Sequence, residues 1–278
     1  MEKILSIPLT WLIGLIIILG SLVYVTLIER FWVEVRPVGI AIAKLPASMA
    51  GLRIVLFSDV HVGFYYENHH LRKLVDQINE QKPDVICFTG DLLDSRDALP
   101  MIQEASRELA RLQAPLGKFA VLGNHDYRTD ADQIAKHLQL GGFKLLVNQS
   151  DSMVHNGGRL NIVGVDDAIN GNPDLAKALQ GVSEQAPTIL LVHEPDYAAI
   201  SSKFPIDLQL SGHSHGGQVR IPFGGPVLTS RLGKNYNAGE YKLHNMTIYT
   251  TRGIGTTILP VRFFSRPEIT VITLQQQK

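Results

Sequence analysis

The sequence has no excess of charge of either sign and only one cysteine, two features that would otherwise narrow its function. Its 278 residues contain 26 acidic and 26 basic side chains, so it lacks the basic surplus that nucleic-acid binding requires. The single cysteine, Cys87, has no internal disulfide partner, and its apolar run DVICFTG indicates a buried strand residue rather than a reactive thiol. We therefore expect neither a nucleic-acid partner nor a disulfide-linked partner.

Charged residues are also missing from Ile4 to Ile28. This apolar stretch has about the ~20 residues that cross a bilayer, and it carries Trp11 and Tyr24 near its ends. A cleaved signal peptide would have a shorter apolar region and a small-residue cleavage site, so a retained anchor is favoured. The predicted organisation is an N-terminal tail (1–8), a transmembrane anchor (9–28), a linker (29–50) and a large C-terminal domain (51–278).

The charges that flank the apolar stretch bear on its orientation. Lys3 lies on one side, and Arg30 and Arg36 lie on the other. Under the positive-inside tendency this slightly favours a cytoplasmic location for the C-terminal domain.

After residue 50, apolar runs of strand length alternate with helical patterns. The runs 52–58, 84–90 and 117–123 read as buried strands, separated by helices near 68–81 and 98–113. Further along, several strands follow one another with little helix between them. This mixture predicts an α/β fold in which two sheets pack face to face as a sandwich flanked by helices.

Polar side chains follow five of the predicted strands directly. Ligands bind at the carboxyl ends of strands in open α/β sheets, so we expect these segments to converge at one edge. The residues that could bind metal there are Asp59, His61, Asp91, Asn124, His193, His213 and His215.

Carboxylate, amide and imidazole ligands without thiolate suit Mn, Fe or Zn, and we favour Mn. Seven ligands are too many for one tetrahedral zinc ion but suit two metals that share a carboxylate. Two such metals can generate hydroxide near neutral pH and hold the oxygens of a phosphoryl group. His125 is the candidate general acid for the leaving oxygen, and the adjacent Asp126 is expected to orient its imidazole.

The ordered motifs D-x-H, GD-x-x-D, GNHD, a lone histidine and GHxH resemble those of the calcineurin-like metallophosphoesterases over residues 50–275. The resemblance implies an αββα fold and a dinuclear site in a catalytic domain. Asp59, His61 and His215 would hold the first metal, and Asp91 would bridge. The second metal would be held by Asn124, His193 and His213.

Two further segments, GHSHGGQ and RGIGTTILPVRFFSRPEI, look like a branch of bacterial membrane-anchored phosphodiesterases that includes UDP-2,3-diacylglucosamine pyrophosphatases. The implied reaction is hydrolysis of a phosphodiester or pyrophosphate bond, with UDP-2,3-diacylglucosamine as a specific candidate in lipid A synthesis. The implied location is the bacterial inner membrane, and the implied partners are the membrane and a small-molecule or lipid-linked phosphoester. The alternatives are another envelope or phospholipid phosphodiester, or a non-catalytic metal-binding role.

Three local questions stay open from the sequence. Asp94 either supports a metal ligand or caps the helix that begins near Arg96. Arg262 either forms a structural ion pair or contacts a substrate phosphate. The apolar loops at 63–66, 221–228 and 258–264 either belong to the core or form a channel for acyl chains.

Overall fold

The computed structural model describes residues 8–277, so nearly all of the expected N-terminal tail (1–8) lies outside the described residues. Helix α1 (Leu9–Val23) continues through tighter and wider helical turns to Phe31. By length and composition, the segment Leu9–Phe31 could cross a membrane. None of the side chains of α1 is buried against the rest of the protein.

The first of two six-stranded sheets contains the first five strands of the chain and the last one. Its strand order is β1-β14-β2-β3-β4-β5, and every neighbouring pair is parallel except β14 and β2. The strands are β1 (Glu34–Ile42), β2 (Arg53–Phe57), β3 (Val85–Phe88), β4 (Lys118–Ala120), β5 (Lys144–Leu145) and β14 (Glu268–Gln276).

The second six-stranded sheet has the order β12-β13-β9-β8-β7-β6, with a parallel centre and antiparallel pairs at both edges. A separate two-stranded ribbon pairs β10 (Arg220–Ile221) with β11 (Gly225–Pro226). The strands of the second sheet are β6 (Gln149–His155), β7 (Gly158–Gly164), β8 (Thr188–Leu191), β9 (Leu208–Ser211), β12 (Gly239–Leu243) and β13 (Met246–Thr250).

Helices cover the outer faces of both sheets. The helices are α2 (Asn68–Glu80), α3 (Ile102–Ala110), α4 (Asn124–Thr129), α5 (Ala131–Leu140), α6 (Leu175–Ala178) and α7 (Ala198–Ser201).

Alternation along β2 shows how the layers are held together. Ile54 and Leu56 pack between the two sheets, whereas Val55 and Phe57 pack against the helical layer, because successive side chains of a strand point to opposite faces. Cys87 is fully buried between the sheets, as the sequence predicts. The predicted sandwich of two sheets flanked by helices is confirmed.

The expected linker (29–50) is more than a connection. Within it, β1 pairs in parallel with β14 over nine residues, from Glu34 opposite Glu268 to Ile42 opposite Gln276. Ile40 and Ile42 are buried in the core between the sheets. The chain that leaves α1 therefore enters the fold of the C-terminal domain directly, and only short pieces of the segment connect elements.

Candidate metal centre

The structure brings all seven predicted metal-binding residues to one place. Each of them follows the carboxyl end of a central parallel strand, and each is at most 7% exposed. Asp59 and His61 follow β2, Asp91 follows β3, Asn124 begins α4 after β4, His193 follows β8, and His213 and His215 follow β9.

Three of these side chains form a first cluster. The two Nε2 atoms of His61 and His215 are 3.2 Å apart, and Nε2 of His215 is 3.5 Å from Oδ1 of Asp59. Ligand atoms from all three lie within 4.8 Å of one another. Two imidazoles and a carboxylate that converge in this way match the donor set of a divalent cation.

A second cluster surrounds His193. Its Nε2 atom lies 3.2 Å from Oδ1 of Asn124 and 3.2 Å from Nδ1 of His213. The same Nε2 atom is 3.2 Å from Oδ2 of Asp91. An amide oxygen, two imidazole nitrogens and a carboxylate oxygen thus face one another across a space too small for any other side chain.

Asp91 lies between the two clusters. Its Oδ2 atom, which contacts His193, is also 3.6 Å from Nε2 of His61 in the first cluster. Its Oδ1 atom accepts a 2.8 Å hydrogen bond from the backbone N–H of His125. This is the position that a carboxylate shared by two metals would occupy.

Outer hydrogen bonds assign the tautomers of two histidines. Nδ1 of His193 is 2.6 Å from the carbonyl oxygen of Thr89, and Nε2 of His213 is 2.6 Å from that of Arg231. Because a carbonyl can only accept, these nitrogens carry the protons. The opposite nitrogen of His213 therefore presents a lone pair to the cluster. That of His193 would do so once a cation replaces the proton that Asp91 stabilises there, as in metal-binding histidines.

The electrostatics of the clusters favour a bound cation. Burial lowers the pKa of His61 to about 3 and that of His213 to about 4, so both imidazoles stay neutral. Burial raises the pKa of Asp59 to about 6, because the carboxylate has lost its water. For Asp91, burial opposes ionisation, but the neighbouring His193 outweighs it and holds the pKa of Asp91 well below the usual range. Burial also disfavours the charged form of His193, yet Asp91 raises the pKa of that imidazole well above its usual value. A divalent cation would supply the positive charge that these buried carboxylates need.

The backbone of the cluster adopts an unusual conformation. Five of the seven residues have positive φ angles, between 48° and 67°. Residues other than glycine rarely adopt this region, and each such residue costs about 1–3 kcal/mol. The five are Asp59, His61, Asp91, His213 and His215.

Two glycines leave room for this crowding. A Cβ atom on Gly123 would lie 2.7 Å from Cε1 of His193 and would overlap the carboxylate of Asp91. Gly253 has a φ of +64°, and a Cβ atom there would lie 2.8 Å from Cβ of Asp59. Any side chain at either position would displace a metal-binding group.

His125 stands at the mouth of the site. Its ring packs edge-on against that of His61, with centroids 4.7 Å apart. Its Nδ1 atom lies 2.8 Å from the backbone carbonyl oxygen of Asp94, which fixes the proton on Nδ1 and leaves Nε2 for proton exchange. A cavity of about 310 Å³ joins His125 to Asp91, Asn124 and His213.

The expected role of Asp126 in orienting His125 is wrong. The Asp126 carboxylate accepts hydrogen bonds from the backbone N–H groups of Asp91 (2.8 Å), Leu92 (2.9 Å) and Gly123 (2.9 Å). It therefore ties the turn after β3 to the turn after β4. The carbonyl of Asp94 orients His125 instead.

The open question about Asp94 also has an answer in its contacts. Its Oδ1 atom lies 3.7 Å from Nδ1 of His61, and the helical turn that begins at Arg96 has no side-chain cap. The carboxylate of Asp94 therefore does not cap that turn and lies beside a candidate metal ligand, without a hydrogen bond to Nδ1 of His61.

Among the described residues, Arg262 has no ion-pair partner, and it does not line the candidate catalytic cavity, so neither of the two alternatives for it holds. The side chain is fully buried, and it donates hydrogen bonds to the carbonyl oxygens of Gly255 (3.0 Å), Ser265 (2.8 Å) and Arg252 (3.0 Å). Its Nη2 atom is also 3.4 Å from Nδ1 of His215. Arg262 thus organises the last loops of the chain behind the site.

Two arginines at the cavity were not predicted from the sequence. Arg128 and Arg231 line the same cavity as His125, and both are exposed at its mouth. For Arg128 a signal was present, because it lies three residues after His125 on one helix and therefore on the same face. Arg231 lies in an irregular segment, where periodicity gives no such signal.

Comparison with known proteins agrees with this geometry. The family model for calcineurin-like phosphoesterases matches residues 52–217. The chain is 40% identical to the metallophosphoesterase YkuE of Bacillus subtilis, over 92% of this chain and 90% of that protein. It is also 33% identical to a zebrafish (Danio rerio) transmembrane protein with a metallophosphoesterase domain, but it spans only 57% of that protein's length.

A solved structure shares the fold. A dimetal phosphatase from Danio rerio aligns with 81% of this chain and 99% of its own, with a TM-score of 0.51 at 12% identity. That likeness concerns the fold alone. The family match and the bacterial relative settle the wider assignment: this chain belongs to the calcineurin-like metallophosphoesterases.

Proposed function

We propose that the protein is a dinuclear-metal phosphoesterase that hydrolyses a phosphodiester or pyrophosphate bond. The observation that carries the proposal is the position of Asp91, whose Oδ2 atom lies 3.2 Å from His193 in one cluster and 3.6 Å from His61 in the other. Divalent cations bound there would lower the pKa of a water molecule and neutralise the phosphoryl oxygens. We favour Mn for this set of carboxylate, amide and imidazole donors, with Fe and Zn as alternatives.

The protein's own groups have separate roles in this reaction. His125 donates a proton from Nε2 to the leaving oxygen, because the carbonyl of Asp94 holds Nδ1 at 2.8 Å and fixes the ring. Arg128 and Arg231 at the mouth of the cavity bind non-bridging oxygens of the phosphate. A non-catalytic role is disfavoured because His125 and the seven metal-binding residues all occupy one site.

We further propose that the helical segment Leu9–Phe31 anchors the protein in a bacterial inner membrane. The segment is 23 residues long, and the side chains of α1 are uncovered, as a bilayer-facing helix requires. The weak charge asymmetry around it favours a cytoplasmic location for the catalytic domain.

An anchored enzyme suits a substrate that is itself held in the membrane. UDP-2,3-diacylglucosamine, which would be cleaved to UMP and diacylglucosamine 1-phosphate, is the specific substrate that we propose. Another cell-envelope phosphodiester or a phospholipid is the alternative.

The first prediction concerns metal content. We expect two divalent ions per wild-type chain and at most one in Asp91→Asn, because the shared carboxylate becomes a neutral amide. Turnover should fall by more than about 100-fold, which is more than the loss expected when a residue that only hydrogen-bonds to a metal ligand is replaced. Plasma mass spectrometry of the purified full chain measures the ions. Asp97→Asn, an exposed residue nearby, should keep both, and two tightly bound ions in Asp91→Asn would contradict the bridging role.

The second prediction concerns the acid. His125→Ala should lower turnover of a methyl phosphodiester by about 10²–10⁴-fold, because an alkoxide leaving group needs a proton. With a p-nitrophenolate leaving group, which departs unprotonated, the loss should be much smaller. Metal content should stay unchanged, and His69→Ala on the exposed side of α2 serves as the control. An equal loss for both leaving groups would rule out His125 as the acid.

A third experiment tests orientation. Cys87 is fully buried, so a cysteine introduced at Lys203 in the loop after α7 would be the accessible thiol. A membrane-impermeant maleimide should label Lys203→Cys only after the inner membrane is opened. Labelling in intact spheroplasts would place the domain on the opposite side.

The fourth experiment tests the substrate. The Mn-loaded protein should release UMP from UDP-2,3-diacylglucosamine faster than it cleaves a chromogenic phosphodiester, with mass spectrometry as the readout. Absence of UMP from a preparation that cleaves the chromogenic ester would remove this substrate and leave the reaction class standing.

A further inference from the structure

We propose that an apolar cavity beside the metal centre binds an acyl chain of the substrate, which enters from the membrane in which the protein is anchored. This inference rests on the proposed phosphoesterase function and adds a ligand subsite to it.

The cavity adjoins the catalytic one directly. It has a volume of about 420 Å³, within the range of small-molecule pockets. His213, His215 and Ile258 line both this cavity and the one that contains His125. A molecule with its phosphate at the metal centre could therefore extend into this second cavity without leaving the protein surface.

The wall of this cavity away from the histidines is largely aliphatic. It is formed by two segments, one that flanks the ribbon of β10 and β11 and one that follows β13. The apolar side chains that these segments contribute are Val219, Val227, Leu228, Ile258, Leu259 and Val261. Such a wall favours hydrocarbon, because each methylene removed from water contributes about 0.8 kcal/mol.

The loop that forms one wall is attached to the end of the membrane helix. The backbone N–H of Arg262 donates to the carbonyl of Val25 at 3.0 Å, and Nη1 of Arg30 lies 3.4 Å from the carbonyl oxygen of Pro260. The Glu29 carboxylate, 2% exposed, accepts a 2.9 Å hydrogen bond from the N–H of Ser265. The cavity is thus held where the helix leaves the bilayer.

Large apolar side chains around the cavity are uncovered. Ile258 is 90% exposed, Leu228 is 77% exposed and Leu259 is 60% exposed. Ile258 also has a φ of +64°, which β-branched residues rarely adopt. A soluble surface would gain nothing from this arrangement, whereas a bilayer or a lipid chain would cover these side chains favourably.

The position of the cavity selects one occupant over others. It lies between the end of the membrane helix and the candidate metal ligands, so a membrane lipid could reach both at once. The phosphate would lie beside His125 while the chain follows Val227 and Leu228 towards the bilayer. The substrate class is therefore a phosphoester that carries at least one acyl or alkyl chain.

The test is a chain-length series on the full protein reconstituted in phosphatidylcholine nanodiscs. Alkyl p-nitrophenyl phosphodiesters from ethyl to octyl keep the same leaving group. For the wild type we expect kcat/KM to rise with chain length, by up to about fourfold for each methylene, which corresponds to the ~0.8 kcal/mol of its transfer. A flat series in a protein that hydrolyses the ethyl ester would overturn the acyl subsite but not the phosphoesterase function.

Paired variants separate the cavity from partition into the lipid. The double substitution Leu228→Gln with Leu259→Gln changes two cavity residues that are already exposed, and it should lower the octyl-to-ethyl ratio at least tenfold. Leu140→Gln with Val154→Gln changes equally exposed residues far from the site and should keep the ratio. Equal ratios in both variants would show that the bilayer alone favours long chains and would overturn the proposal. Failure to cleave even the ethyl ester would overturn the phosphoesterase function and this inference together.

Discussion

The structure depends on the crowding of buried carboxylates and imidazoles at the edge where two sheets meet. Ligand atoms from different strands lie 3.2 to 3.6 Å apart, and the side chains that carry them have almost no contact with water. Without a compensating positive charge, such a cluster has either protonated carboxylates or a charged imidazole. Divalent cations remove that conflict, and so the same feature that costs stability prepares the site for metal.

The rest of the fold holds these crowded side chains in fixed positions. The parallel strands end at one edge, and positive φ angles turn the chain sharply at Asp59, Asp91 and His213. Asp126 then links two of these turns through three backbone N–H groups. Because these contacts are made by the backbone and by buried groups, the site is held by rigid elements rather than by mobile loops.

The sequence predicted which residues form the site better than it predicted the hydrogen-bond partners that hold them in place. Polar residues that directly follow apolar runs can be recognised as site residues from the sequence, because the carboxyl ends of parallel strands share an edge. The seven candidate ligands and His125 were predicted in this way. The partner of His125 could not be predicted, because a backbone carbonyl has no sequence signature. The sequence indicated the adjacent carboxylate of Asp126 instead. Arg262 was misread for the same reason, since its partners are carbonyl oxygens. The strand at Glu34–Ile42 was missed because its partner, β14, lies more than 200 residues away.

The junction between the helix and the domain connects these features. Hydrogen bonds from Ser265 to Glu29 and from Arg262 to Val25 attach the last loops of the chain to the end of the helix. Arg262 also approaches His215, so the same residue contacts both the N-terminal helical segment and the candidate metal centre. These contacts fix the position of the site relative to the helix.

The central claim is that two metals share Asp91, and electron paramagnetic resonance of the Mn(II)-loaded protein tests it most directly. Two ions bridged by one carboxylate are magnetically coupled, so the account predicts a multiline spectrum with spacing about half that of isolated Mn(II). The coupled signal should disappear in Asp91→Asn. A simple six-line spectrum at saturating Mn(II) would show isolated ions and would contradict the shared site.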